Sequence, residues 1–159
     1  MSREVCEALL RAALAAAGPE GRFGDLPEAP RGRAIVIAAG KAAARMAAAF
    51  EDAWEAWAGA LPEGIAVTRH GHGAPTRRVE VVEAGHPEPD AAGLAAGARV
   101  LDLARGAGAE DLVCVLMSGG ASALLAAPAA GLELADERAV GRALLRSGAP
   151  IGDMNRVRQ

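Results

Sequence analysis

The chain has 159 residues, enough for one domain with its own core, and 52% of them are hydrophobic, much of that alanine. A net charge of −3, with 23% charged residues of mixed sign and no basic stripe, argues against nucleic acid or a membrane surface as partner. No apolar run approaches the roughly 20 residues of a membrane helix, and an acidic N-terminus without an apolar h-region makes the cytoplasm the expected setting.

In chain order, residues 3–17 read as an amphipathic helix whose stripe is Val5, Leu9, Ala12 and Ala16, stopped by Gly18-Pro19. A Gly/Pro-rich connector follows over 18–32. Residues 33–39 are a continuous Ile/Val-rich run, the pattern of a strand buried on both faces of a parallel sheet. The helix expected over 41–58 opens on Lys41 and carries Met46, Phe50, Trp54 and Trp57 at helical spacing, with both tryptophans as core anchors. Short strands are expected near 64–68 and 79–83, separated by the polar turn Arg69-His-Gly-His-Gly-Ala-Pro75. Asp90 is placed to N-cap a helix reaching Arg105.

Residues 111–117 form another apolar strand, ending in Ser118-Gly119-Gly120, and 121–125 start a short helix. Residues 136–147 form a further helix closed by Gly148, and a last one begins at Gly152. Cys6 and Cys114 lie inside apolar patterns, as small buried hydrophobes in a reducing compartment. Strands alternating with helices predict an α/β fold: a doubly wound, mostly parallel, Rossmann-like sheet with helices on both faces. In such sheets ligands bind beyond the carboxyl ends of the strands. Gly40-Lys41, Arg69-His70, Gly85-His86 and Ser118-Gly119-Gly120 should therefore share one edge.

Lys41 stands out as the sole lysine beside sixteen arginines. Its ammonium is a compact three-donor point charge, suited to phosphate in a way that the wide guanidinium fork is not. A cation at the positive end of a helix calls for an anion there. Three standard motifs fail. The dinucleotide pattern has Gly71 and Gly73 but Thr76 in third place; a Walker A loop would need glycine at Ile35 and Ser or Thr at Ala42; the nucleophile elbow fails at Leu116.

What remains at Ser118-Gly119-Gly120-Ala121-Ser122 is a flexible loop whose N–H groups could surround an anion. His70 and His72 could face one way, but without a nearby cysteine or carboxylate they read as a polar loop and not as a metal site. His86, between Gly85 and Pro87, is open to three roles: acid/base, hydrogen-bond donor or structural cap. Asn155 is the only asparagine, and Arg156 and Arg158 add donors suited to carboxylate or phosphate.

Six stretches together resemble the glycerate 2-kinases of the type that carries a C-terminal MOFRL domain, some of which are labelled hydroxypyruvate reductases. They are 39–42, 68–73, 83–90, 118–124, 144–148 and 154–158, in the family's order. The resemblance implies transfer of the ATP γ-phosphoryl group to the 2-hydroxyl of D-glycerate with Mg²⁺. It makes Lys41 the catalytic residue, and places Gly40, Arg69, His86, Ser118, Gly119, Gly120, Ser122, Asn155 and Arg158 against substrate or nucleotide, with no metal ligand assigned.

The chain departs from the family's pattern at Ala121, His70 and Gln159. The family continues past this point with a His-Leu-Ser segment, a Lys-Gly-Gly segment and a second domain. The expectation is therefore an N-terminal α/β domain over 1–159, inactive alone, whose apolar surface near 148–159 invites the missing C-terminal domain or a second copy. The alternatives are an NAD(P)H-dependent hydroxypyruvate reductase and a non-catalytic small-anion or nucleotide-binding module.

Overall fold

A computed structural model describes residues 2–158, Arg158 by its backbone alone. The elements run α1 (Arg3–Ala17), β1 (Ala34–Ala39), α2 (Ala43–Ala58), β2 (Glu63–Arg69), β3 (Val79–Ala84), α3 (Ala91–Arg105), β4 (Leu112–Met117), α4 (Ala121–Leu124), α5 (Leu134–Ser147) and α6 (Ile151–Arg158). All three strand pairings are parallel and the order is β3-β2-β1-β4. Ile37 sits opposite Ile65 on one side and Val115 on the other, so β1 is central and its apolar run is explained.

The period-2 pleat sends alternate residues to two half-cores. Val36, Ala38, Ala66 and Val79 pack against Ala43, Ala47, Phe50 and Trp54 of α2. Ile65, Val67 and Ala84 pack against Ala96 of α3 and Leu124 of α4 on the other face. Phe23, Phe50 and Trp54 stack in one line, edge-on at 5.3 Å and then near-parallel at 5.6 Å. The expected parallel α/β sheet covered on both faces is the fold observed.

Because β2 lies to one side of β1 and β4 to the other, the direction of winding reverses between β1 and β4. The crevice of an open α/β sheet forms at that reversal, outside the carboxyl ends. The exits of β1 and β4 are thus the place to look for ligand chemistry.

Two clamps set the opposite ends. Glu51, buried on α2, accepts the N–H groups of Arg77 at 2.7 Å, Arg78 at 2.7 Å and Val79 at 2.8 Å, tying the short β2–β3 connection to the helix. Asp111 accepts the N–H of Arg33 at 2.6 Å and its guanidinium Nη2 at 2.8 Å, joining the starts of β1 and β4.

Four expectations are corrected. α2 begins at Ala43 and not at Lys41, because the N–H groups of Lys41 and Ala42 are drawn across to β4's exit. Trp57 is exposed, its ring N–H donating to Pro27 O at 3.1 Å; only Trp54 anchors the core. No residue of α1 is buried, so its apolar stripe stays exposed. Cys6, beside that stripe on the same helix, is exposed as well, while Cys114 is partly covered and burial pushes its thiol up.

Candidate functional site

The exits of β1 and β4 are cross-linked by their backbones. Lys41 N–H donates to Gly119 O at 3.0 Å, Ser118 N–H to Ala39 O at 2.9 Å, and Ala42 N–H to Ser118 Oγ at 3.1 Å. Gly40, at φ 125°, makes the crossing possible: a Cβ there would lie 2.6 Å from the Ser118 carbonyl carbon. The Lys41 carbonyl accepts from the buried Thr68 hydroxyl at 3.3 Å, and His72 Nδ1 stands 3.4 Å from it.

The peptide of Lys41 is therefore held from β4 and β2 at once, while its side chain is exposed. That side chain runs along Gly119, where an added Cβ would be 3.7 Å from Lys41 Cε. Among the described residues no carboxylate pairs with the Lys41 ammonium.

The loops after β2 and β3 are shaped by carboxylates. Glu83 accepts Gly71 N–H at 3.0 Å and Gly73 N–H at 2.8 Å, and these two hydrogen bonds hold its carboxyl below the usual range. Asp90 caps α3 by accepting Gly93 N–H at 2.9 Å, as its position in sequence predicts, and faces His70 Nε2 at 2.9 Å. Burial would raise the Asp90 carboxyl, but the N–H groups of Gly93 and Gly85 and the His70 ring outweigh it and leave it lowered. The two loop histidines diverge, His70 to Asp90 and His72 to Lys41.

His86 lies over the β4 exit: a Cβ on Gly120 would be 2.6 Å from its Nε2. Next to it opens a cavity of about 450 Å³ between the 86–89 loop, the start of α4, and helices α5 and α6. His86, Gly120, Ser122 and Asn155 all line this cavity. Four of the sequence candidates thus meet there, while Gly40, Lys41, Ser118 and Gly119 meet at the β1/β4 crossing. Gly119 and Gly120 are adjacent in the chain, so the two groups share one loop.

Arg69 is exposed at the end of β2 and lines neither feature. The side chain of Arg158 lies outside the described residues.

Sequence reasoning missed α5's part. Arg138 Nε donates to Pro89 O at 2.6 Å and lies 3.6 Å from Glu88, with Arg142 at 3.7 Å from the same carboxylate, fastening α5 over the His86 loop. Glu137 and Arg138 also line the cavity. Nothing local in the sequence flagged them, since α5 reads as an ordinary solvated helix. Glu51 shares the stripe 47, 50, 51, 54 that faces the sheet, but nothing local in the sequence shows that the 77–79 amides meet it there.

Comparison with known proteins fits this geometry. Residues 5–159 match the family model described as "Domain of unknown function (DUF4147)". The chain is 45% identical over 163 residues to an Agrobacterium vitis protein with a provisional hydroxypyruvate reductase name, covering 99% of this chain and 36% of that protein. It is 40% identical over 129 residues to the glycerate 2-kinase of Pyrococcus horikoshii, covering 81% of this chain and 28% of that one.

The crystal structure of the glycerate kinase of Thermotoga maritima superposes with a TM-score of 0.77 at 33% identity, over 98% of this chain and 37% of that chain. The chain spans about a third of the length of the curated relatives it matches. With the family model running through both half-cores and every strand exit, the chain belongs to the DUF4147 family, and its relatives include named glycerate 2-kinases.

Proposed function

We propose that this chain supplies the N-terminal part of a glycerate 2-kinase site, in which ATP gives its γ-phosphoryl group to the 2-hydroxyl of D-glycerate. The observation that carries the reading is the β1/β4 crossing: a solvent-facing lysine, unpaired among the described residues, is fixed through its own peptide at the winding reversal of a parallel sheet. In the transfer the glycerate 2-hydroxyl oxygen bonds to the γ-phosphorus and gives up its proton to water, the bond from the γ-phosphorus to the β-phosphate oxygen breaks, and ADP leaves. Catalysis of this kind is chiefly positioning and charge stabilisation. Lys41 Nζ is suited to hold the transferring oxygens, with the Gly119 backbone beside its side chain.

Among the described residues no group of three or more His, Cys, Asp or Glu converges as a cation cage. Mg²⁺ at a phosphoryl-transfer site would be held chiefly by the nucleotide's own phosphates and water with one or two carboxylates, and does not call for such a cage. Arg69 and Arg158 would offer guanidinium groups to the substrate's carboxylate or to phosphate, and the remaining donors would come from the two thirds of the relatives that this chain does not span. Among the described residues no helix is long and apolar enough to cross a membrane.

The relatives' names give the reductase reading its support, but no strand exit carries a dinucleotide loop. Because Lys41 is the only lysine, reductive ¹³C-methylation, which keeps its charge, labels a single ε-amine. Titration with ATP should shift that signal, and Lys41→Arg should weaken ATP binding about tenfold or more, the loss of one charge-assisted contact of about 1.5–3 kcal/mol. The purified chain should show no D-glycerate-dependent ADP release by itself. An NADH-induced shift without an ATP-induced one overturns the kinase reading in favour of the reductase.

A further inference from the structure

The two edges of the sheet are built differently. At the β3 edge the strand carries Glu80 and Glu83, and Glu80 is paired with Arg99. Charge of that kind keeps an edge from pairing with another chain. The β4 edge, Leu112–Met117, is six apolar residues with no charge and no proline. One of its faces is also open. Leu112, Cys114 and Leu116 pack toward the α2 core, whereas Val115 is 58% and Met117 55% exposed on the other side.

The backbone of β4 repeats that division. Leu112 N–H donates to Arg33 O and Ser118 N–H to Ala39 O, both at 2.9 Å. Alternation therefore turns 112, 114, 116 and 118 toward β1, and turns the N–H and C=O groups of Val113, Val115 and Met117 to the free edge. The residues that present backbone to the edge are thus the ones whose side chains lie on the open face.

This set is symmetric about Val115. In an antiparallel register centred there, Val115 meets Val115 of a second copy, and Val113 of each copy meets Met117 of the other. Each such pair exchanges two backbone hydrogen bonds and puts its side chains together on the open face. The same register brings Glu110 and Asp111 of one copy to the Gly119–Gly120 end of the other, along which the Lys41 side chain runs, so unlike charges meet. A parallel register between copies would set acidic start against acidic start.

We propose that the β4 edge is a self-association surface: a second copy of this chain adds across it, antiparallel and centred on Val115, so that two four-stranded sheets become one. Both bare edges are consumed, so assembly closes at two chains. A single strand edge is a small interface, of the transient class. The inference is independent of the kinase reading.

Sedimentation of the full chain over about 1 μM to 1 mM should show a mass rising from one chain to two. Val115→Arg sets two guanidinium groups directly opposite each other and should raise the dissociation constant about tenfold or more. The urea midpoint, measured where the chain is monomeric, should be kept. Leu10→Arg is the control on another bare apolar surface, at a residue 59% exposed on α1, and should leave association unchanged.

Register is read by disulfides in a Cys6→Ser, Cys114→Ser background. A hydrogen-bonded antiparallel pair holds its Cα atoms about 5.5 Å apart, inside the disulfide range. Val115→Cys should cross-link with itself, and Val113→Cys should cross-link with Met117→Cys only when the two variants are mixed. A chain that stays monomeric to about 1 mM, a dimer that survives Val115→Arg or is lost in Leu10→Arg, or cross-links in another register each overturn the proposal. So does a monomer whose 113, 115 and 117 amides gain exchange protection only when the C-terminal two thirds of a glycerate kinase relative are supplied, which gives the edge to that part instead.

Discussion

Gly40→Ala is the sharpest probe of the β1/β4 crossing. At φ 125° the residue sits in backbone space that L side chains rarely adopt, a cost of about 1–3 kcal/mol. The new methyl would also overlap the Ser118 hydroxyl and carbonyl, standing 2.6 Å from its carbonyl carbon. Ser118 cannot retreat freely, because its N–H is bonded to Ala39 O. Such overpacking adds about 1–3 kcal/mol, for a total of about 2–6 kcal/mol.

Gly59→Ala is the matched control. Gly59 also has positive φ, 71°, but nothing lies within 4 Å of its added Cβ, so only the left-handed cost of about 1–2 kcal/mol remains. In urea unfolding, where m for small proteins is about 1–3 kcal/mol/M, the Gly40 variant should melt well below the Gly59 variant. It should also lose the ATP-induced shift of the Lys41 signal, which Gly59→Ala should retain. Equal midpoints for the two variants would refute the claim that Ser118 is held against the β1 exit.

Glu51→Gln places an NH₂ group against at least one of three backbone donors, and should cost about 1.5–3 kcal/mol in urea unfolding, with faster amide exchange at 77–79. Unchanged exchange at those three amides would show that the buried carboxylate is not what holds the β2–β3 connection. Asp111 is held well below the usual carboxylate range by the Arg33 guanidinium first and by the N–H groups of Arg33 and Gly108 next. A lowered folded value means that this contribution is complete above about pH 4 and lost as pH falls toward the folded value. Acid titration should therefore destabilise the parent steeply below pH of about 4, and Asp111→Asn should flatten that limb while lowering stability at neutral pH; an unaltered acid limb would count against the clamp.

The β1/β4 crossing and the cavity have different tolerances. The crossing consists of backbone groups that leave one rotamer-free side chain exposed, so it depends on glycine at one position and on strand register. The cavity depends on α5 and α6 being held over the 86–89 loop, where Arg138 and Arg142 both converge on Glu88. Register is fixed by the buried apolar set of each strand, since a one-residue slip would turn Ile35 and Ile37 to the opposite face.

The sequence by itself determined what local chemistry controls. The Ile/Val run of β1, the Asp90 cap, the Gly148 helix end and the parallel α/β class all follow from periodicity, capping and turn residues within a few positions of each other. It also singled out Lys41 and the 118–122 loop by composition. It could not determine that Gly119 receives the Lys41 N–H, because that contact depends on β4 lying beside β1 and not beside β3, a matter of which way α3 carries the chain across the sheet. The same holds for Trp57, Cys6 and Glu51. Each sits in a helix whose periodicity is clear, yet whether a face is buried is decided by what the sheet and connector bring against it. Only the tertiary structure could move Trp57 to solvent, leave α1's stripe bare and bury a glutamate.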